Sequence, residues 1–263
     1  MIKIENVVAP STEQWEAIIR GCRNPMNSWN KSDSYYPEEY RYGDLPSDAV
    51  DIGDNDLNLM KRLCSAGTDH RKFMRMITVY LDIIAPLYFW KEFDTYKVGT
   101  VANSCSTMHK ILDKEFKMDD FSCEHLYTTK ADIMCEFDEF IAPENKQHNS
   151  PYGALSDIIE ELNQWRDFYI YYKNKPTKDI ERHNENLKRI WWQLIQLLPS
   201  SYNQRRTVML NYEVLANIYK SRKGHRLDEW KTMLDWIETL PYSELITGKE
   251  KNNESIRDLQ NRE

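Results

Sequence analysis

The sequence predicts an α+β fold in which one strand-like run precedes a long C-terminal helical part. Residues 77–83 (ITVYLDI) partly alternate apolar and polar side chains and are rich in β-branched and aromatic types, as a strand requires. Residues 181–199, 207–225 and 226–241 instead repeat apolar residues at helical spacing. Pro199 and Gly224 punctuate them.

The other elements come in chain order. Leu57, Leu59, Met60, Leu63 and Cys64 lie close to helical spacing, and Gly67 is a natural stop. Pro86, after the strand-like run, is placed to open a further helix, because proline is tolerated in a first turn. Residues at about 111–185 read as a divergent, acidic insertion capped by a helix over 154–174 (ALSDIIEELNQWRDFYIYYKN). The segment SSYNQRR, 200–206, reads as a loop leading into the helix of 207–225. One domain is predicted over 1–247, with a polar tail at 248–263 that frays.

Composition excludes several classes of function. With 41% hydrophobic residues, 16 Tyr, 8 Trp and 8 Phe, the chain is far too aromatic to be disordered. A net charge of -7 without a long basic run argues against nucleic acid as a partner, since phosphate binding is driven by cations. The apolar runs are too short to span a bilayer and the N-terminus lacks a signal-type core, so a cytoplasmic protein with no membrane partner is expected. Cys22, Cys64, Cys105, Cys123 and Cys135 include no C-x-x-C pair, which suggests free thiols and no metal site.

Residues 207–225 carry the most information. Read as one helix, they place Asn211, Leu215, Ile218 and Arg222 on one stripe, with the asparagine and the arginine about 16 Å apart along the axis. An arginine on such a stripe needs an anionic or carbonyl partner, because burying it bare is costly. Residues 90–110 (WKEFDTYKVGTVANSCSTMHK) are the second unusual stretch, dense in small polar groups directly after the apolar run 83–90.

These residues resemble the flavin-dependent thymidylate synthases. The family's Leu-Pro, aromatic loop and helix bearing Asn, Leu, Asn and Arg match Leu198-Pro199, Asn211, Leu215, Asn217 and Arg222. His225 and Glu229 match the histidine and glutamate beyond the family's arginine, one residue closer to it. Asn103 and Ser106 match the Asn-x-x-Ser part of the family's signature, and residues 85–90 (APLYFW) match its approach. The front of that signature departs: DTYKVGT stands where Arg-His-Arg is expected, leaving Lys97 as the cation in reach, and Met108 replaces a later arginine, with His109 and Lys110 close behind. Glu213 stands where the family often has an arginine, and Arg205 and Arg206 are candidate replacements.

The resemblance covers about residues 57–110 and 187–240. It implies a central, mostly antiparallel sheet with flanking helices, and reductive methylation of dUMP to dTMP. FAD, NADPH and methylenetetrahydrofolate are the implied cofactors, and a homotetramer the implied assembly. It makes Arg222 catalytic, as a fixed cation facing negative charge that develops on the uracil carbonyls. Ser104, Ser106, Arg222 and Lys97 would bind substrate; Lys97, Asn103, Asn211, Asn217 and His225 would bind cofactor. The family's chemistry requires no cysteine nucleophile, so Cys105 reads as a small packing residue. Two other functions stay open: a homologue that binds nucleotide or flavin without catalysis, and a helical interaction protein whose faces at 190–198 (IWWQLIQLL) and 167–173 (DFYIYYK) meet a partner.

Overall fold

The computed structural model describes residues 2–35, 50–129 and 150–249. The acidic run at 130–149, Cys135 and most of the predicted polar tail lie outside the described residues. The chain is α+β, as the sequence predicts. Among the described residues, four strands, β1 (Lys3–Val8), β2 (Thr78–Pro86), β3 (Val101–Ser104) and β4 (Asn203–Asn211), form one sheet in the order β1-β2-β4-β3. β1 and β2 pair antiparallel, Lys3 opposite Ile84 and Val8 opposite Tyr80, with an irregularity after Glu5 where Asn6 adopts φ 52°. The Tyr212 amide donates to the Ile77 carbonyl and the Leu87 amide to that of Tyr202, so β2 and β4 also run antiparallel.

The helices are α1 (Thr12–Arg23), α2 (Asp54–Ser65), α3 (Leu87–Phe93), α4 (Thr107–Lys110), α5 (Pro151–Lys173), α6 (Ile180–Leu197), α7 (Tyr212–Arg222), α8 (Asp228–Thr239) and α9 (Glu244–Thr247). Three of these starts have a clear local cause. Ser11 and Gln14 form a capping box on α1, Ser150 caps α5 just before Pro151, and Asp179 caps α6.

The described residues fold into two compact units. The first comprises Ala85–Glu92 and Ser104–Arg205. Here α5 packs on α6, and Leu162 and Leu194 are fully buried among Ile111, Phe116, Phe121 and Leu155. Asn163 ties the intervening chain to α5: its side chain accepts from the Phe116 amide and donates to the Phe116 carbonyl, at 2.8 and 2.9 Å.

The second unit comprises Ile2–Ile84, Phe93–Asn103 and the chain from Arg206. The alternation read at 77–83 holds: Val79, Leu81 and Ile83 are buried, while Tyr80 is exposed. Their core also takes Trp15 from α1, Met60 from α2, Leu215 and Ile218 from α7, and Trp230 from α8. Trp15 meets Tyr212 and Tyr242 edge to face at 6.4 and 5.3 Å.

The structure corrects the boundaries of the informative helix. Residues 207–211 are strand, not helix, and β4 already begins at Asn203 inside the segment read as a loop. The reason is packing: Val208 and Leu210 are buried on one face, whereas Thr207 and Met209 alternate with them. Asn211 therefore precedes the helix and caps it. Pro86 likewise closes β2, and the helix after it starts at Leu87.

Candidate functional site around Arg222

The candidate site lies in the second unit, along α7 and the turn at 96–100. Asn211 sits in extended conformation, and its side-chain oxygen accepts from the Val214 amide at 3.1 Å, which starts α7 by satisfying one of its first amides. Eleven residues on, half-buried Arg222 closes the helix. Its guanidinium carbon lies 4.5 Å from the centre of the Trp230 ring and 5.4 Å from that of Tyr96. Cation–π contacts of this kind contribute roughly 0.5–2 kcal/mol each and hold the group in one orientation.

Hydrogen bonds fix the same arginine. Its Nε donates to the Tyr96 hydroxyl at 2.8 Å. The Tyr96 hydroxyl pairs with Ser221 Oγ at 2.7 Å, and Ser221 Oγ donates to the Asn217 carbonyl at 2.7 Å. Donors thus run in one direction, from Arg222 through Tyr96 and Ser221 to the helix backbone. Arg222 Nη1 also lies 3.2 Å from His225 Nε2, while the Leu227 amide lies 3.2 Å from His225 Nδ1. A neutral imidazole has one acceptor nitrogen, so the His225 tautomer decides which of these two donors is bound.

The turn that carries Tyr96 also touches the other end of α7. Gly99 has φ 84°, and a Cβ there would stand 2.9 Å from Asn211 Nδ2 and 3.1 Å from Val214 Cγ2. Only glycine meets both conditions without strain. Tyr96 and Gly99 together lay residues 96–99 against the face of α7 that runs from Asn211 to Arg222.

The predicted residues fall into distinct settings. Arg222 and His225 come together, and Asn211 serves as the cap of the same helix. Asn217 is exposed, and its Oδ1 accepts from Arg71 Nη2 at 3.2 Å. Lys97 and Asn103 are exposed in this unit. Ser104 and Ser106 belong to the first unit, where Ser104 is exposed at the end of β3 and Ser106 is half-buried before α4. Buried Glu213 is neutralised by Arg71, whose Nε and Nη2 lie 3.0 and 3.1 Å from its two carboxylate oxygens. Arg206 pairs with Asp94 at 2.7 Å.

Sequence reasoning missed Tyr96 and Trp230 as parts of this site, and Arg71 as the partner of Glu213 and Asn217. Tyr96 and Trp230 lie within the stretches that carry the resemblance, and their signal is an aromatic ring close to each half of the arginine-bearing pattern.

No known protein-family profile matches the chain, and no curated protein does. Solved structures do match. Thymidylate synthase X from Helicobacter pylori, solved with FAD and dUMP, aligns over 94% of this chain and 97% of its own, with a TM-score of 0.54 and 14% identity. The chain has the thymidylate synthase X fold. A second flavin-dependent ThyX structure from Helicobacter pylori, complexed with FAD and dUMP, gives a TM-score of 0.51 at 14% identity, covering 94% of this chain and 96% of its own. A UMP/dUMP methylase, PolB from Streptomyces cacaoi bound with 5-Br dUMP, aligns over 94% of both chains at 10% identity and a TM-score of 0.46. On the thymidylate synthase X fold this chain sets a guanidinium against two aromatic rings and pairs Glu213 of α7 with Arg71. No described helix is long and apolar enough to cross a membrane.

Proposed function

We propose that this chain is a flavin-dependent thymidylate synthase-like enzyme that methylates dUMP reductively to dTMP, with methylenetetrahydrofolate as carbon donor and NADPH as electron source. The observation that carries the reading is Arg222: it occupies the motif position that resembles the family's arginine, on a fold whose solved examples bind FAD and dUMP. Tyr96, Trp230 and His225 hold its guanidinium before any ligand arrives. A preorganised cation stabilises negative charge developing on the uracil carbonyls without reorganisation during the reaction.

The donor set suits a flavin. Exposed Asn217 and half-buried His225 carry groups able to bond a ring edge, and Lys97 and Asn103 offer a cation and an amide to phosphate. Glu213 does not confront a phosphate-rich cofactor with a bare charge, because Arg71 neutralises it. FAD, when bound, supplies the redox chemistry. Lys97, Asn103, Asn217 and His225 then bind cofactor, with Asn211 acting through the helix it caps; Ser104, Ser106, Lys97 and Arg222 bind the nucleotide. We assign a homotetramer in the cytoplasm; for the assembly, the support is edge strand β3, whose Val101 is 61% exposed, with Val98 in the preceding turn 91% exposed.

One observation favours a second reading, a nucleotide-binding homologue without turnover. Residues 96–99 lie against α7 where Arg-His-Arg is expected, and Lys97 is the one cation they carry. The test is a visible absorbance titration of the purified chain with FAD, then dUMP, and after that an NADPH oxidation assay. The expected result is a flavin band that dUMP perturbs, NADPH oxidation, and a loss of turnover of about a hundredfold or more in Arg222→Ala. Perturbation without oxidation assigns the second reading, and failure to take up flavin rejects the synthase.

A further inference from the structure

The second unit contains a basic cleft on another face of α7. It measures about 480 Å³ and gathers Lys61 of α2, Arg71, Lys220 of α7, Lys223, and Lys249 beyond α9. At 100° per residue, its α7 lining of Ala216, Tyr219 and Lys220 is rotated by about 120° from the stripe of Leu215, Ile218 and Arg222. The cleft therefore lies on another face of α7 from Arg222, and Arg71, which lines it, also holds Asn217.

Its charge balance is unusual for a chain of net charge -7. Glu213 engages Arg71, Glu238 engages Lys249, and Glu244 lines the wall. Lys61, Lys220 and Lys223 form no ion pair with any described residue. Cys64 adds no negative charge, because burial pushes its thiol up to about 12. Like charges converging on a concavity repel one another, and an anion held by several of them reverses the sign of that energy. Arg71 is preset for such a ligand: Glu213 and Asn217 fix its planar fork from one side. Tyr219, Leu245 and Ile246 add an apolar wall, and Ser65 and Thr247 add hydroxyls. The volume falls within the roughly 300–1,000 Å³ typical of small-molecule sites.

We propose that this cleft binds an organic polyphosphate of nucleotide size, its phosphates on Lys61, Arg71, Lys220 and Lys223 and its ring against the Tyr219–Ile246 wall. The site shares Arg71 with the surroundings of Asn217, but its ligand does not depend on the thymidylate synthase reading.

The experiment is isothermal titration calorimetry of the full chain with ATP and with inorganic tripolyphosphate at low salt. Expected are saturable binding of both, ATP several-fold tighter, and a loss of about tenfold or more in Lys220→Ala/Lys223→Ala. The same loss in Lys188→Ala/Arg189→Ala, two exposed cations of α6, would assign the effect to net charge and overturn the site. So would no binding, or binding indifferent to Lys220 and Lys223. Equal affinity for ATP and tripolyphosphate would leave a bare phosphate site and overturn the organic part. Arg222→Ala keeps ATP binding while losing the dUMP response, so the two readings fail separately.

Discussion

Asp56 illustrates how much one side chain organises in this fold. Its carboxylate is buried on α2 and accepts from Arg23 Nε, from the hydroxyls of Ser32 and Ser34 at 2.7 and 2.6 Å, and from the amides of Asp33 and Ser34, both at 3.2 Å. Burial by itself pushes the carboxyl pKa up, but the bonds from Ser34, Ser32 and Arg23, with the Arg23 charge, outweigh it and hold the value below the usual 3.8. A depressed carboxylate contributes stability that is present above its unfolded value and is lost as pH falls through the folded one. Acid titration of the folded protein should therefore cost stability below about pH 4, and Asp56→Asn should flatten that part of the profile. Asp56→Ala leaves Arg23 buried and unpaired, for which about 3–5 kcal/mol is expected in urea unfolding. A loss under about 1 kcal/mol would mean that water or another group replaces the carboxylate.

At the scale of elements, α7 depends on its two ends. Asn211→Ala removes the cap, for about 1 kcal/mol. Gly99→Ala imposes a side chain at φ 84° and drives its Cβ into the same Asn211 amide, so about 1–3 kcal/mol is expected. In thermal melts the double variant should lose less than the sum, because truncating Asn211 removes the group that the new methyl meets. Strict additivity would mean that the turn at 96–100 does not rest on α7.

The same helix marks the limit of what the sequence discloses. TVMLN reads as helix because a short apolar run fits both periods; the exposure of Thr207 and the burial of Val208 and Leu210 are visible only once β4 lies beside β2. The arginine is legible because its spacing from Asn211 survives the change of element. Tyr96 lies 126 residues from Arg222, and Arg71 lies 142 from Glu213, so those partners are set by tertiary packing, which local pattern does not encode.

At the scale of the molecule, the segment read as a divergent insertion proves to carry a core of its own. α5, the helix read at 154–174, supplies Leu155, Ile159 and Leu162; α6 supplies Leu194; Ile111, Phe116 and Phe121 complete the cluster. The sequence hid this because α5 keeps few residues buried along its 23, and its exposed face holds Phe168 and Tyr171, which blur the apolar stripe. Two fully buried leucines facing one cluster make a sharp test. Leu162→Ala deletes three carbons from a closed site, for which about 2–5 kcal/mol is expected, the upper end if the cavity does not collapse. Hydrogen exchange is the informative readout, since it reports opening segment by segment. Amides of α5 and α6 should exchange faster in the variant by about thirtyfold or more, the factor that 2 kcal/mol implies. Protection unchanged in both helices would mean that the first unit is held by its Tyr202 and Asn163 contacts, with the leucine pair contributing little.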